Sequence, residues 1–225
     1  MNRTVLKEQA RKLIEKNYWN SCAAGTVMAL GSGILFTDIA ALMIDPVSSD
    51  VFSFTLGGMS VFLTVVFFLL KGPCEYGSCR YFLKRTRDEK ASLSDIRSGF
   101  QKDRFWKLIY PALYREIVIM LYALLFIIPG MIRYYDSYFT RFVIVDDPDL
   151  SPSQLHARSR ELAKGHRKEM FLLDLSFILW NFASILTYSL TGVFYSYAYR
   201  TQTKALLYER LRRELREKQT EERAS

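Results

Sequence analysis

The sequence has few of the residues that build catalytic or metal centres. Its 225 residues include only three cysteines and two histidines. Cys22, Cys74 and Cys79 fit neither a disulfide framework nor the spacing of a zinc site, and His156 and His166 have no ligand partners at metal spacing. A nucleophile elbow, a phosphate-binding loop, an HExxH pair and a dinucleotide fingerprint are also missing. We therefore expect a protein that is not an enzyme and binds neither a cofactor nor a metal.

The charge is strongly basic, with a net charge of +8 and a pI near 9.4. No helix-turn-helix, zinc-finger spacing or RNA-binding sheet signature accompanies it, so we expect no nucleic-acid partner. Basic residues beside apolar segments more often set membrane topology and contact anionic lipid headgroups. The expected partners are therefore the bilayer and the anionic headgroups on its cytoplasmic side.

Apolar residues make up half of the chain, and the mean hydropathy of +0.01 hides their segregation into long blocks. Such blocks predict an all-α, polytopic membrane helix bundle of about six spans. The predicted spans lie near 20–44, 51–71, 108–128, 131–146, 170–190 and 193–207. Together with the N-terminal segment they form one membrane domain, 1–208, followed by a charged cytoplasmic helical tail, 209–225. Small residues on the first span permit a homo-oligomer or a membrane protein partner.

The distribution of charge predicts the orientation of these spans. The link 45–50 has two acids and no base, whereas both neighbouring polar regions are basic, so the positive-inside rule places it outside and both termini in the cytoplasm. Residues 1–19 carry apolar side chains at helical spacing opposite lysine and arginine. This pattern predicts an amphipathic helix on the cytoplasmic membrane surface, or alternatively a helix that packs on the protein's own soluble face.

The central part of the chain is predicted to reverse at Pro129-Gly130, because proline removes a helical donor and glycine accepts the backbone angles of a turn. The following stretch, 131–146, is predicted to cross the membrane only if its polar groups face other helices or water; a re-entrant or interfacial helix is the alternative. A connector helix should then begin at Ser151, as N-cap, with Gln154 closing a capping box, and end at Gly165.

Polar residues inside the predicted spans form the candidate site. An ion pair between Arg133 and Asp136 is expected from their helical spacing. Asp174 should be neutralised by Arg167 or by a neighbouring helix. We favour interhelical hydrogen bonding over a transport role for these residues. The complete candidate intramembrane cluster is Arg133, Asp136, Arg141, Asp174, Asn181 and Arg200.

A set of short motifs in the centre of the chain resembles a known family. Ile128-Pro129-Gly130, Asp146-Asp147-Pro148, Ser159-Arg160, Gly165 and Leu175-Ser176-Phe177 with Trp180 are similar, in order and spacing, to the signature of a bacterial integral-membrane family catalogued as domain of unknown function 975. The segment from Leu6-Lys7 to Trp19 is similar to that family's opening. The resemblance implies a polytopic bacterial membrane protein and no established activity, cofactor or catalytic residue.

Three functions remain open from the sequence. The leading hypothesis is a non-enzymatic protein of the bacterial inner membrane that acts as a scaffold, regulator or envelope-protective factor through helix packing and a basic cytoplasmic face. The first alternative is a transporter or lipid-handling protein with a polar intramembrane cavity. The second is a membrane enzyme acting on lipid-linked substrates.

Overall fold

A computed structural model of the protein describes residues 3–31, 50–87, 89–177 and 195–224. Within these ranges the chain forms helices and no strand, which confirms the all-α class. Ten α-helices fall in the described ranges: α1 Arg3–Glu15, α2 Tyr18–Gly31, α3 Asp50–Thr86, α4 Leu93–Arg97, α5 Lys102–Leu125, α6 Ile127–Asp136, α7 Thr140–Asp146, α8 Pro152–Ala163, α9 Arg167–Leu175 and α10 Tyr197–Ala224. A short 3-10 helix, Ser98–Phe100, follows α4.

The core lies where α1, α3, α7, α8, α9 and α10 meet. Its largest fully buried side chains are aromatic: Tyr76, Tyr81, Phe82, Phe139, Phe142 and Phe177. The helices approach one another closely at glycines. A Cβ on Gly77 would lie 2.2 Å from the Ile96 carbonyl oxygen, so only glycine lets α3 pack against α4 at this distance.

The turn between α5 and α6 lies three residues earlier than the sequence predicted. Phe126 is extended, with φ −159° and ψ 147°, and it interrupts the helix. Pro129 and Gly130 instead lie inside α6, so the prediction that they form the reversal is wrong. Pro129 is tolerated there because the first four N–H groups of a helix have no intrahelical partner. Gly130 packs against α5, where an added Cβ would lie 2.7 Å from the Cα of Ala123.

Residues 131–146, predicted as one span, are divided between α6 and α7 by a turn at 137–139. At a rise of about 1.5 Å per residue, these helices of 10 and 7 residues are roughly 15 and 10 Å long. Both are shorter than the hydrocarbon core of a bilayer. The single continuous helix that the sequence predicted for this stretch is therefore replaced by two short ones.

Among the helices of the described residues, none combines the length and the apolar composition that crossing a membrane requires. The predicted spans near 20–44, 170–190 and 193–207 run in part through residues outside the described ranges.

The two ends of the chain pack against each other. Leu6, Ala10 and Ile14 of α1 are buried, and α1 contacts α10. The apolar face of the N-terminal helix therefore lies on the protein itself, which is the alternative that the sequence left open. Helix α10 continues across residue 208 without a break. The predicted last span and the charged tail are, where they are described, parts of one helix.

Candidate functional site

The turn between α6 and α7 and the residues that flank it, 136–141, connect to most of the surrounding helices; we call this segment the 136–141 hub. Asp136 forms ion pairs with α8 and α9, and Arg141 pairs with a carboxylate of α3. Ser137 contacts α8, while Tyr138 contacts α9 and α10. Neighbouring residues of one short segment thus position four other helices.

Asp136 is 5% exposed and is held by cations from two helices. Arg167 donates to its Oδ1 at 2.6 Å through Nη2 and 2.8 Å through Nε, and Arg160 lies 3.7 Å from Oδ2. The predicted pair with Arg133 is wrong. Arg133 instead lies over the ring of Tyr122, 5.5 Å from its centroid. Arg133 and Asp136 do lie three positions apart on α6, but Asp136 pairs with cations of α8 and α9 instead.

Ser159 supplies hydrogen-bond partners to the backbone at the break at 137–139. Its hydroxyl donates to the carbonyl oxygen of Asp136 at 2.7 Å and accepts from the N–H of Phe139 at 3.1 Å. In a continuous helix these two backbone groups would pair with residues four positions away. Ser159 is fully buried, so no solvent could replace its hydroxyl. It therefore explains how the chain leaves the helix here without unpaired backbone groups.

Asp174 is neutralised by a neighbouring helix, as one of the two predicted possibilities had it. Lys204 of α10 lies 3.3 Å from its Oδ1, and Arg200 lies 3.9 Å away. The hydroxyl of Tyr138 donates to the same oxygen at 3.0 Å, and the Lys204 ammonium lies 4.2 Å from the Tyr138 ring centroid. The carboxylate joins the hub, α9 and α10.

Arg141 takes part in a separate group of charges. Its Nε lies 3.2 Å from Glu75 Oε2, and Arg115 contacts the same oxygen at 3.2 Å. Glu116 extends the group by pairing with Arg115 and, at 3.0 Å, with Lys71. Burial alone would raise the pKa of Glu75, but the charges of Arg115, Arg141 and Lys71 outweigh it and hold the pKa below its ordinary value.

A further network lies between α3, α7 and α10. Arg87 lies 2.9 Å from Asp146 Oδ1 and donates to Glu209, and Arg212 lies 2.9 Å from Asp146 Oδ2. The hydroxyl of Tyr208 also donates to Asp146, at 2.7 Å. Burial, with the neighbouring Asp146 charge, raises the pKa of Tyr208, so this phenol remains protonated as a donor.

His156 is buried on the face of α8 that meets the hub. Its Nδ1 shares a hydrogen bond of 3.0 Å with the Ser137 hydroxyl, and its ring lies 5.2 Å from that of Tyr114. Burial, with the charges of Arg133 and Arg115, lowers the pKa of His156 to about 4. The imidazole is therefore neutral at physiological pH.

The remaining motif residues have local roles. Ser151 caps α8 and forms the predicted capping box with Gln154, and Gly165 just beyond this helix adopts a φ of +88°. Asp147 ends α7 by donating its N–H to the Val143 carbonyl at 2.9 Å, and Pro148 follows it. Trp180 and Asn181 lie outside the described residues.

The structure thus distributes the predicted polar cluster over three places: Asp136 with α8 and α9, Asp174 with α10, and Arg141 with Glu75. Each described carboxylate of the predicted cluster is paired with a cation, so the arrangement is suited to joining helices. Groups of three or more potential metal ligands do not occur in the described part of the chain.

Sequence reasoning did not predict the interhelical charge networks of Glu75, Arg115, Lys204, Asp146 and Glu209. The sequence did contain a signal for Glu75, because this acid follows Gly72-Pro73 and the other charged residues of the same helix after it are basic. Its partner Arg115 lies 40 positions away, a distance over which helical spacing carries no information. The same holds for Asp146 and Tyr208, which are 62 positions apart.

Comparison with protein families matches part of the chain. Residues 117–215 match the model of a family described as "Protein of unknown function (DUF975)". This range includes the 136–141 hub, α8, α9 and Lys204, and it confirms the resemblance over these residues. No curated protein and no solved structure matches the chain.

Proposed function

With the match of residues 117–215 to this family as the premise, we propose that the chain is a non-enzymatic, multi-pass protein of the bacterial inner membrane. It acts as a scaffold, regulator or envelope-protective factor, with both termini in the cytoplasm. Its described buried acids serve to join helices, and a basic cytoplasmic face contacts anionic lipid headgroups.

One observation carries the membrane placement. Large apolar side chains on α5 and α6, and at the turn between them, are exposed in a band that we call the apolar band: Ile117, Met120, Leu121, Leu124, Phe126 and Ile128. Leu124 is the most exposed of them, at 81%. Burying apolar surface contributes about 25 cal/mol per Å², so a contiguous band of this kind favours a lipid or protein environment over water.

The N-terminal part of α5 supports the same placement. Trp106 and Tyr110 are exposed beside Lys107. Tryptophan and tyrosine are enriched where a membrane meets water, and lysine extends its ammonium to the headgroups there. In this orientation the ion-paired hub lies on the cytoplasmic side of the apolar band.

Cysteine labelling tests the placement. The three native cysteines, which are buried, are first replaced. Leu124→Cys and Lys164→Cys are then compared in inverted inner-membrane vesicles with a membrane-impermeant maleimide. We expect Lys164→Cys, an exposed site, to label and Leu124→Cys to label only after denaturation. Equal labelling of both in intact vesicles would remove the membrane proposal.

Topology is tested with the same variant. Lys164→Cys should be protected in right-side-out spheroplasts, and a reporter placed in the link 45–50 should face the periplasm. A cytoplasmic reporter signal from that link would show that the proposed threading is wrong.

A transporter or lipid-handling protein is the second candidate, because Asp174, which lies in a predicted span, is held by two cations and a tyrosine. The variant Asp174→Asn distinguishes a scaffold from a transporter. For a scaffold, any cellular defect should follow the amount of folded protein in the membrane. For a transporter, flux into proteoliposomes should be lost even where folded protein is present in normal amount.

A further inference from the structure

A small cavity lies between α3, α5 and α7. Its volume is about 30 Å³. The residues with polar side chains in its lining are Glu75, Tyr76, Arg115, Thr140 and Arg141. Roughly 10–15 Å³ of such space suffices for one water molecule, so the cavity has room for a monatomic ion.

The charges around the cavity do not balance. Three cations, Lys71, Arg115 and Arg141, are joined to two carboxylates, Glu75 and Glu116. Arg115 and Arg141 share the Glu75 carboxylate, so one positive charge is left over in this largely buried group. A buried charge without a counter-charge is costly, since the interior solvates it poorly.

Thr140 supplies the independent indication of a ligand. It is 4% exposed, lines the cavity, and its hydroxyl has no hydrogen-bond partner. Buried hydroxyls are nearly always hydrogen-bonded, because a buried hydroxyl without a partner loses its hydrogen bonds to water and gains no replacement. The hydroxyl O–H and the guanidinium N–H groups can donate, and the Glu75 carboxylate in the same lining is already paired with both arginines. The cavity therefore combines donors with a net positive charge, as an anion site requires.

We propose that this cavity binds one small monovalent anion of the halide class, chloride among them, between the guanidinium groups of Arg115 and Arg141 and the hydroxyl of Thr140. The anion neutralises the surplus charge and pairs the free hydroxyl. It thereby stabilises the junction of α3, α5 and α7. The inference depends on these contacts and not on the membrane placement or on the proposed function.

Thermal unfolding of the full-length purified protein tests the proposal. The midpoint is measured in sodium gluconate with increasing sodium chloride or bromide at constant ionic strength. We expect the midpoint to rise and saturate with halide, as binding to one site in the folded state requires. An unchanged midpoint in chloride and gluconate would mean that the cavity holds water only and would overturn the proposal.

Substitutions assign the effect to the cavity. Thr140→Val keeps the shape of the side chain and removes the hydroxyl, so it should weaken the apparent halide affinity about tenfold, as the loss of a hydrogen bond to a charged group does. Thr140→Ser should restore it. Thr203→Val is the control, because Thr203 is also buried but its hydroxyl already donates to the Tyr199 carbonyl. Equal halide dependence in Thr140→Val and the control would refute the site.

A direct measurement covers the case in which Thr140→Val does not fold. Crystals of the unsubstituted protein are grown in bromide, and anomalous scattering locates the ion. A bromide peak in the cavity beside Arg141 supports the proposal. A well-ordered cavity without anomalous density at saturating bromide would overturn it.

Discussion

Replacing Ser159 with alanine should destabilise the 136–141 hub far more than the loss of one small hydroxyl suggests. The Ser159 hydroxyl serves two backbone groups, the Asp136 carbonyl at 2.7 Å and the Phe139 N–H at 3.1 Å. Both bonds are buried, and the serine itself is fully buried. Alanine fits the space but leaves both groups without a partner.

The expected magnitude follows from the cost of unpaired buried groups. Each such donor or acceptor costs about 1–3 kcal/mol, so the loss of both partners in Ser159→Ala should lower the free energy of unfolding by roughly 2–6 kcal/mol. This is a large fraction of the roughly 5–15 kcal/mol that stabilises a typical domain. Ser153→Ala is the matched control on the same helix, because Ser153 is exposed and contacts only the Ser151 hydroxyl.

Two measurements check the reasoning. Thermal unfolding in detergent gives the global loss, and amide hydrogen exchange reports on the Phe139 N–H directly. We expect this amide to exchange faster in Ser159→Ala and at the parental rate in Ser153→Ala. If Ser159→Ala were as stable as the control and Phe139 remained protected, the hydroxyl would not be what holds the helix break.

Three other perturbations have defined outcomes. The pKa of His156 is lowered from 6.5 to about 4 in the folded protein, so the neutral imidazole should contribute its full stabilisation above pH 6.5 and lose it as the pH falls towards 4. The free energy of unfolding should then fall by up to about 3 kcal/mol more than in His156→Gln. Gly77→Ala should cost about 1–3 kcal/mol or more in thermal unfolding, because its Cβ would meet the Ile96 carbonyl oxygen. Asp146→Asn should cost about 3 kcal/mol by the same measurement, because Arg87 would lose a charged partner in a largely buried network.

Each of these has a result that contradicts it. A His156→Gln protein with the same dependence of stability on pH as the parent would show that the imidazole titrates alike in both states. A Gly77→Ala protein with parental stability would mean that α3 and α4 are farther apart than described. An Asp146→Asn protein of unchanged stability would mean that the network is solvated.

Local patterns were readable from the sequence, and partners across long separations were not. The capping box of α8 depends on Ser151 and Gln154, three positions apart, and its prediction is confirmed. The break at 137–139 depends on Ser159, 20 positions from Phe139, so no local signal marked it. The predicted pair of Arg133 with Asp136 assumed a helical neighbour, whereas the actual partner, Arg167, is 31 positions away.

Exposed apolar side chains on α3 and α5 lie on one side of a common level, although α5 also exposes Trp106 and Tyr110 on the other side of it. On α3, Phe62 and Val65 are exposed, whereas residues 72–79 are buried. On α5 the order is reversed, because Arg115 is buried and the apolar band begins at Ile117.

The pairing of the two helices explains this common level. Lys71 contacts Glu116, and further along α3 Tyr76 contacts Arg104, earlier on α5, so the helices run antiparallel. The Lys71–Glu116 pair, at 3.0 Å, lies where both change character. Lysine and glutamate at such a level can reach water while the residues on one side of them stay in an apolar medium.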